Sequence, residues 1–126
     1  MRAVLDTSVV LATDVAPLPD ELAISVVTLA ELHFGVLVAG DQATRAERLR
    51  RLTSLRSRFD ALPVDDAVAT SYGTLAAALA AAGRQPRARV MDLLIAATAH
   101  AHDARLYTRN PQDLKGADEL LDIATV

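Results

Sequence analysis

Four acids stand far apart in the chain, each beside what reads as the end of a strand or the start of a helix: Asp6, Glu31, Asp92 and Asp113. Asp6 closes the apolar run RAVLD, and Glu31 lies one turn into the helix that should follow ELAISVV. Asp92 heads DLLIAATAHAH, which is otherwise almost pure hydrocarbon, and Asp113 sits with Asn110 in the turn after the strand ARLYT. In a parallel α/β sheet the carboxyl ends of the strands form the ligand crevice, so acids at these places can converge on one rim. Buried together, uncompensated carboxylates cost far more than any helix cap returns unless a cation neutralises them. The one lysine, Lys115, and the three histidines do not stand at matching positions. An all-oxygen donor set suits a hard cation, Mg²⁺ or Mn²⁺, of the kind that acts on phosphate esters.

Taken singly, each acid has a simpler role open to it. Thr28-Leu-Ala-Glu31 fits a capping box, in which the glutamate reaches back to the N-cap amide. In a first helical turn Asp92 would complement the dipole. Asp6 and Asp113 could serve as an N-cap and a turn acid.

Placing the four acids requires alternating strands and helices. RAVLDT reads as a strand ending on Asp6, with a helix starting at Ser8 and closed off by Pro17 and Pro19. Glu21 to Val27 reads as a buried strand, Thr28 to Val38 as a helix, and Gln42 to Phe59 as a long Arg-rich amphipathic helix. LPV opens the next unit, with Asp65 as N-cap of an Ala-rich helix that runs to Gly83. GRQPRARV reads as a loop, Val90 to His102 as a helix apolar nearly all round, ARLYT as a strand and LLDIATV as the last strand. Such alternation predicts a parallel sheet covered on both faces.

With 126 residues there is room for one ordinary domain and one core. That core must be aliphatic, because hydrophobic residues make up 52% of the chain and aromatic ones 3%. The absence of cysteine excludes disulfides and thiolate metal sites, which suits a reducing cytoplasm. MRAVLDTSVV meets an aspartate before any long apolar run, which predicts neither a secretion signal nor a membrane span. A net charge of −3 argues against a protein that grips nucleic acid by overall positive charge, so any such contact must be local. Arg84, Arg87 and Arg89, just before Asp92, could supply that local potential or be ordinary solvated loop residues. The arginines from Arg45 to Arg58 alternate with apolar residues and read as a solvated helix face.

VLDTSVV, SVVTLAELHFGV, DDAVATSYGTLAAALAAAGR, DLLIAATAHAH and LYTRNPQDLKG, in this order and at these intervals, resemble the PIN-domain ribonucleases, specifically the VapC toxins of bacterial toxin–antitoxin modules. The resemblance covers essentially the whole chain and rests most on DLLIAATA followed by TRNPQDL. It implies a single PIN-like domain over residues 1–126, with a central parallel sheet of four to five strands and helices on both faces. On matching positions it implies that Asp6, Glu31, Asp92 and Asp113 are the catalytic, metal-holding acids, that Ser8 and Thr108 are supporting hydroxyls, and that Asn110 borders the site. Some relatives carry an acid at the position of Asn110, and a phenylalanine where this chain has Leu114. The implied reaction is endoribonucleolytic hydrolysis, dependent on Mg²⁺ or Mn²⁺, that leaves 5′-phosphate ends, with Arg84, Arg87 and Arg89 guiding RNA. Implied partners are a cognate antitoxin along a groove beside the site and a second copy of the toxin.

Two other classes of protein would also place acids at strand ends or keep this fold. A phosphoacceptor signalling domain would want a lysine after one of its last strands, whereas Lys115 lies in a turn. A silent PIN-like binding module would not need the acids. Zinc is disfavoured, since His100 and His102 are two apart on a helix and face different sides.

Overall fold

Side chains alternate across the first strand of the computed structural model, which describes residues 2–126, and that alternation builds two cores. In β1 (Arg2–Leu5), Val4 joins Ala23, Leu62 and Leu106 on one face of the sheet, while Ala3 and Leu5 join Ile24 and Tyr107 on the other. The remaining strands are β2 (Glu21–Ser25), β3 (Asp60–Leu62), β4 (Arg105–Thr108) and β5 (Ile123–Thr125). All pairings are parallel and the order is β3-β2-β1-β4-β5, in line with the expected parallel sheet of four to five strands.

Helices α4 (Asp66–Ala81) and α5 (Val90–Ala101) cover the first face. Leu75 and Leu79 share a core with Leu93, Ile95 and a run of small residues, Ala96, Ala97 and Ala99, all without solvent exposure. Such small side chains let two helices approach closely, which is how so few aromatic residues still fill the interior. On the second face lie α1 (Thr7–Val10), Val15 and Leu18 of the connection to β2, and Leu29 of α2 (Val26–Leu37). Helix α3 (Gln42–Arg58) packs back on α2 through buried Leu52 and Leu55 and is capped by Asp41, which accepts from the Thr44 amide.

Several boundaries differ from the sequence expectation. Strand β2 stops at Ser25, because the Ser25 hydroxyl accepts from the Val27 amide at 3.0 Å and starts α2 there. Thr28 is therefore inside the helix, and the capping box with Glu31 does not form. Strand β3 lies at Asp60–Leu62, ending on the first residue of the expected LPV segment, and the GRQPRARV loop contains a 3₁₀ turn over Pro86–Arg89. Asp65 caps α4 as anticipated, accepting from the Val68 amide at 3.0 Å. The helix ends at Gly83, whose positive φ of 79° allows a Schellman turn: Arg84 N–H donates to Leu79 and Gly83 N–H to Ala80, both at 3.0 Å.

A second glycine holds the chain segment after β4 against α4. Gly116 has φ of 109°, and a Cβ placed on it would stand 2.9 Å from the Cβ of Ala82. Both backbone strain and overlap oppose any side chain there. Gly116→Ala is expected to lower stability by about 2 kcal/mol, read as an earlier urea midpoint with an unchanged slope.

Candidate active site

Strand β1 is flanked by β2 on one side and β4 on the other, so the direction of winding reverses between β1 and β4. Side chains at the carboxyl ends of these two strands border the crevice that such a reversal opens. Asp6 follows β1 directly, and Thr108 is the last residue of β4. Although Asp6 occupies the N-cap position of α1, its carboxylate makes no cap hydrogen bond. Instead its Oδ2 accepts from the Ser8 hydroxyl at 2.7 Å and the Thr108 hydroxyl at 3.0 Å. Thr108 Oγ1 in turn accepts from the Asn110 amide at 3.0 Å, and Ser8 Oγ from the Arg109 amide at 3.2 Å. The two supporting hydroxyls thus tie Asp6 to the backbone after β4.

Glu31 reaches the same end of the sheet from α2. Its Oε1 accepts from Thr7 Oγ1 at 2.8 Å, and Thr7 Oγ1 lies 2.9 Å from Thr28 Oγ1. A hydroxyl has one proton; Thr7 gives its own to Glu31, so Thr28 is the donor to Thr7. Asp113 is carried on a 3₁₀ turn (Pro111–Leu114) anchored by buried Leu114, and Arg89 Nη1 lies 2.7 Å from its Oδ1.

Asp92, in the first turn of α5, draws these elements together. Its pKa is raised above the ordinary aspartate value, first by burial and then by the negative charges of Asp6, Asp113 and Glu31, against which Arg89 works only in part. Asp6, Asp113 and Glu31 are therefore all within electrostatic reach of Asp92. Asp6, Asp92 and Asp113 line one narrow crevice with Thr108, Asn110, Leu106 and Leu114. Glu31 and Thr7 face an adjoining groove of about 770 Å³ between α2 and α3, whose walls include Leu11, Leu32, Ala43, Arg48 and Arg51.

Asp6, Asp92 and Asp113 in the crevice, with Glu31 near Asp92 and Arg89 offsetting only part of the charge there, offer oxygen donors and surplus negative charge of the kind that suits a hard divalent cation. Among the described residues no three of these groups already stand as a ligand set for a metal, and Asp113 is paired with Arg89.

Residues 3–120 match the family described as PIN domain. The chain belongs to the PIN-domain family. Ribonuclease VapC8 of Mycobacterium tuberculosis is 44% identical to this PIN domain over 99 residues, 75% of this chain and 88% of its relative. Ribonuclease VapC5 of the same species is 44% identical over 113 residues, 85% of this chain and 82% of the relative. The crystal structure of VapBC-5, a member of the VapBC family of toxin–antitoxin systems from Mycobacterium tuberculosis, superposes with a TM-score of 0.82 at 40% identity. That match covers 99% of this PIN domain and 97% of the other chain.

The arginines before α5 have separate environments. Arg87 is exposed, Arg89 pairs with Asp113, and Arg84 donates to the carbonyls of Gln112 and Lys115. Sequence reading left out the Thr28–Thr7–Glu31 relay and the Arg89–Asp113 pair; the only signal for the first was a Thr directly after Asp6. Arg109, also not singled out, pairs with Asp14 at the rim.

In this PIN domain Thr108 is 2% exposed and serves Asp6 and Asn110 at once. Thr108→Val should cost about 1–3 kcal/mol, because it removes a hydrogen bond to the Asp6 carboxylate and the acceptor of the part-buried Asn110 amide. Thermal unfolding of the metal-free variant checks this.

Proposed function

We propose that this chain is the endoribonuclease toxin of a toxin–antitoxin pair, acting in the cytoplasm and dependent on Mg²⁺ or Mn²⁺. The observation that carries this reading is the meeting of Asp6, Asp92 and Asp113 in one crevice, with Glu31 close enough to raise the Asp92 pKa further. Surplus negative charge, with Asp6 and Glu31 held in place by dedicated hydroxyls and only Asp113 paired with an arginine, is costly to a fold that has no use for it. Relatives named Ribonuclease VapC, 44% identical to this chain, support the same reading.

In this reading Asp6, Glu31, Asp92 and Asp113 hold the ion. When bound, the divalent cation would polarise the RNA phosphate and lower the pKa of an attacking water, which leaves a 5′-phosphate and a 3′-hydroxyl. Ser8 and Thr108 fix the carboxylate of Asp6, and Thr7 fixes that of Glu31. The relief of charge would leave Arg89 able to turn from Asp113 toward a phosphate, while exposed Arg87 adds local positive potential. Asn110 borders the crevice as a neutral polar group.

An antitoxin fits the groove beside Glu31. Phe34 and Leu37 of α2 are 66% and 67% exposed, and Val38 follows them, an apolar margin suited to an amphipathic segment. A basic side chain on that segment would meet the acids. The VapBC neighbour is a toxin–antitoxin complex, which supports the same pairing here; a second copy of the toxin completes the assembly.

The test is incubation of purified total RNA with protein in Mg²⁺ or Mn²⁺, with and without EDTA, followed by end mapping. Discrete cuts bearing 5′-phosphates, removed by EDTA, support the proposal. Protein that binds Mn²⁺ yet cuts no cellular RNA would favour the silent binding module, for which the Arg89–Asp113 pair is the structural argument.

A further inference from the structure

Arg84 leaves the Schellman turn at the end of α4 and lies across the turn that carries Asp113. Its Nη1 donates to the Gln112 carbonyl at 2.8 Å and to the Lys115 carbonyl at 2.9 Å, so one charged nitrogen bridges the two sides of Asp113. The remaining contacts of that turn point the same way. Gly116 presses on Ala82 at the end of α4, and Leu114 and Ala117 are buried in the core shared with α4 and α5. On the other side, Arg89 holds the Asp113 carboxylate itself. We infer that Arg84 is a positioning residue, fastening the Pro111–Leu114 turn to α4 so that Asp113 is presented to the crevice. This rests on the reading of Asp113 as a metal-holding acid.

The geometry separates Arg84 from its neighbours. Nη1 gives both of its hydrogens to the two carbonyls through charge-assisted hydrogen bonds, so Arg84 is fastened to the turn whether or not RNA is bound. Its effect should therefore be present without RNA and should travel through Asp113.

The test is Mn²⁺ binding by calorimetry, with no RNA, for wild type, Arg84→Ala, Asp113→Asn and the double variant. Loss of a residue that orients a ligand typically weakens metal affinity by about 10-fold or more, and that is the expected result for Arg84→Ala. In the Asp113→Asn background the same change should add almost nothing, since partners in one path are not additive. Unchanged affinity, or an equal loss in both backgrounds, overturns the inference.

A metal-independent measurement accompanies it. The Lys115 amide donates to Gln112 and the Ala117 amide to Leu114; both should exchange hydrogen faster in Arg84→Ala, while amides of β4 keep their wild-type rates. If wild type binds no Mn²⁺, the metal reading fails and exchange alone decides: faster exchange at the turn keeps Arg84 as its fastener, and equal exchange overturns it. Should Arg84→Ala not fold, Arg84→Lys carries the same comparisons, because an ammonium lacks the planar fork.

Discussion

Asp92→Asn is expected to abolish metal-dependent RNA cleavage and, in the same molecule, to make the metal-free protein more stable. A divalent ion contributes several kcal/mol to stabilising charge in the reaction, and each ~1.4 kcal/mol is tenfold in rate. Loss of a principal ligand should thus lower cleavage by more than about 100-fold. The stability change has the opposite sign. Burial and the charges of Asp6, Asp113 and Glu31 raise the Asp92 pKa in the folded chain. A raised folded pKa means that folding favours the protonated form: the contribution is favourable below the unfolded value and is lost as pH rises through the folded one. At neutral pH the folded state must hold a charge that it disfavours, and asparagine removes that charge. Thermal scans in EDTA should show the variant melting above wild type at pH 7, with the gap closing as pH falls toward ~4. Added Mn²⁺ should raise the melting temperature of wild type and leave the variant almost unchanged. Cleavage that survives the substitution would remove Asp92 from the site.

Leu93, one residue farther along α5, should separate fold from site. It is fully buried among the residues that α4 and α5 share with the sheet. Leu93→Ala removes packing and leaves a void, at a cost of about 2–5 kcal/mol. Set against the ~5–15 kcal/mol that holds a typical domain together, this is a large fraction, and urea unfolding should show it as a much earlier midpoint. Mn²⁺ affinity of the folded protein at low temperature should stay near wild type, because Leu93 takes no part in the acid crevice. A cost below about 1 kcal/mol would mean that the neighbouring alanines leave room for the helices to close the gap.

Much of this was legible from local pattern. Apolar runs located the strands, and the uninterrupted hydrocarbon of DLLIAATAHAH marked a helix buried on most sides. Asp65 capped α4 as its type and place required. Failures arose where two local rules competed. Ser25 and Thr28 are both good caps, and the β-branched pair Val26-Val27 between them reads as strand; the hydrogen bond from the Val27 amide to the Ser25 hydroxyl starts the helix at the earlier of the two. Other features depend on distance in space alone. The Thr7–Glu31 bond exists because β2 lies beside β1, and Arg84 meets the turn at Asp113 because Gly116 allows close approach to Ala82. No spacing in the sequence encodes either contact, and a surface arginine reads the same whether it faces water, a phosphate or a carbonyl.

The hydrogen bond from Thr108 to Asp6 joins residues 102 positions apart, and β1 has β4 as its neighbour in the sheet. During synthesis the first strand emerges early, but its partner and the hydroxyl that fixes Asp6 emerge only when most of the chain has been made. Closing so long a loop precedes any reward from the contact. The crevice is therefore among the last parts of the molecule to take shape, and a growing chain that ends before β4 lacks it altogether. If the chain cleaves RNA as proposed, a polypeptide cut short before β4 would carry Asp6, Glu31 and Asp92 but neither the hydroxyl that fixes Asp6 nor the turn that carries Asp113.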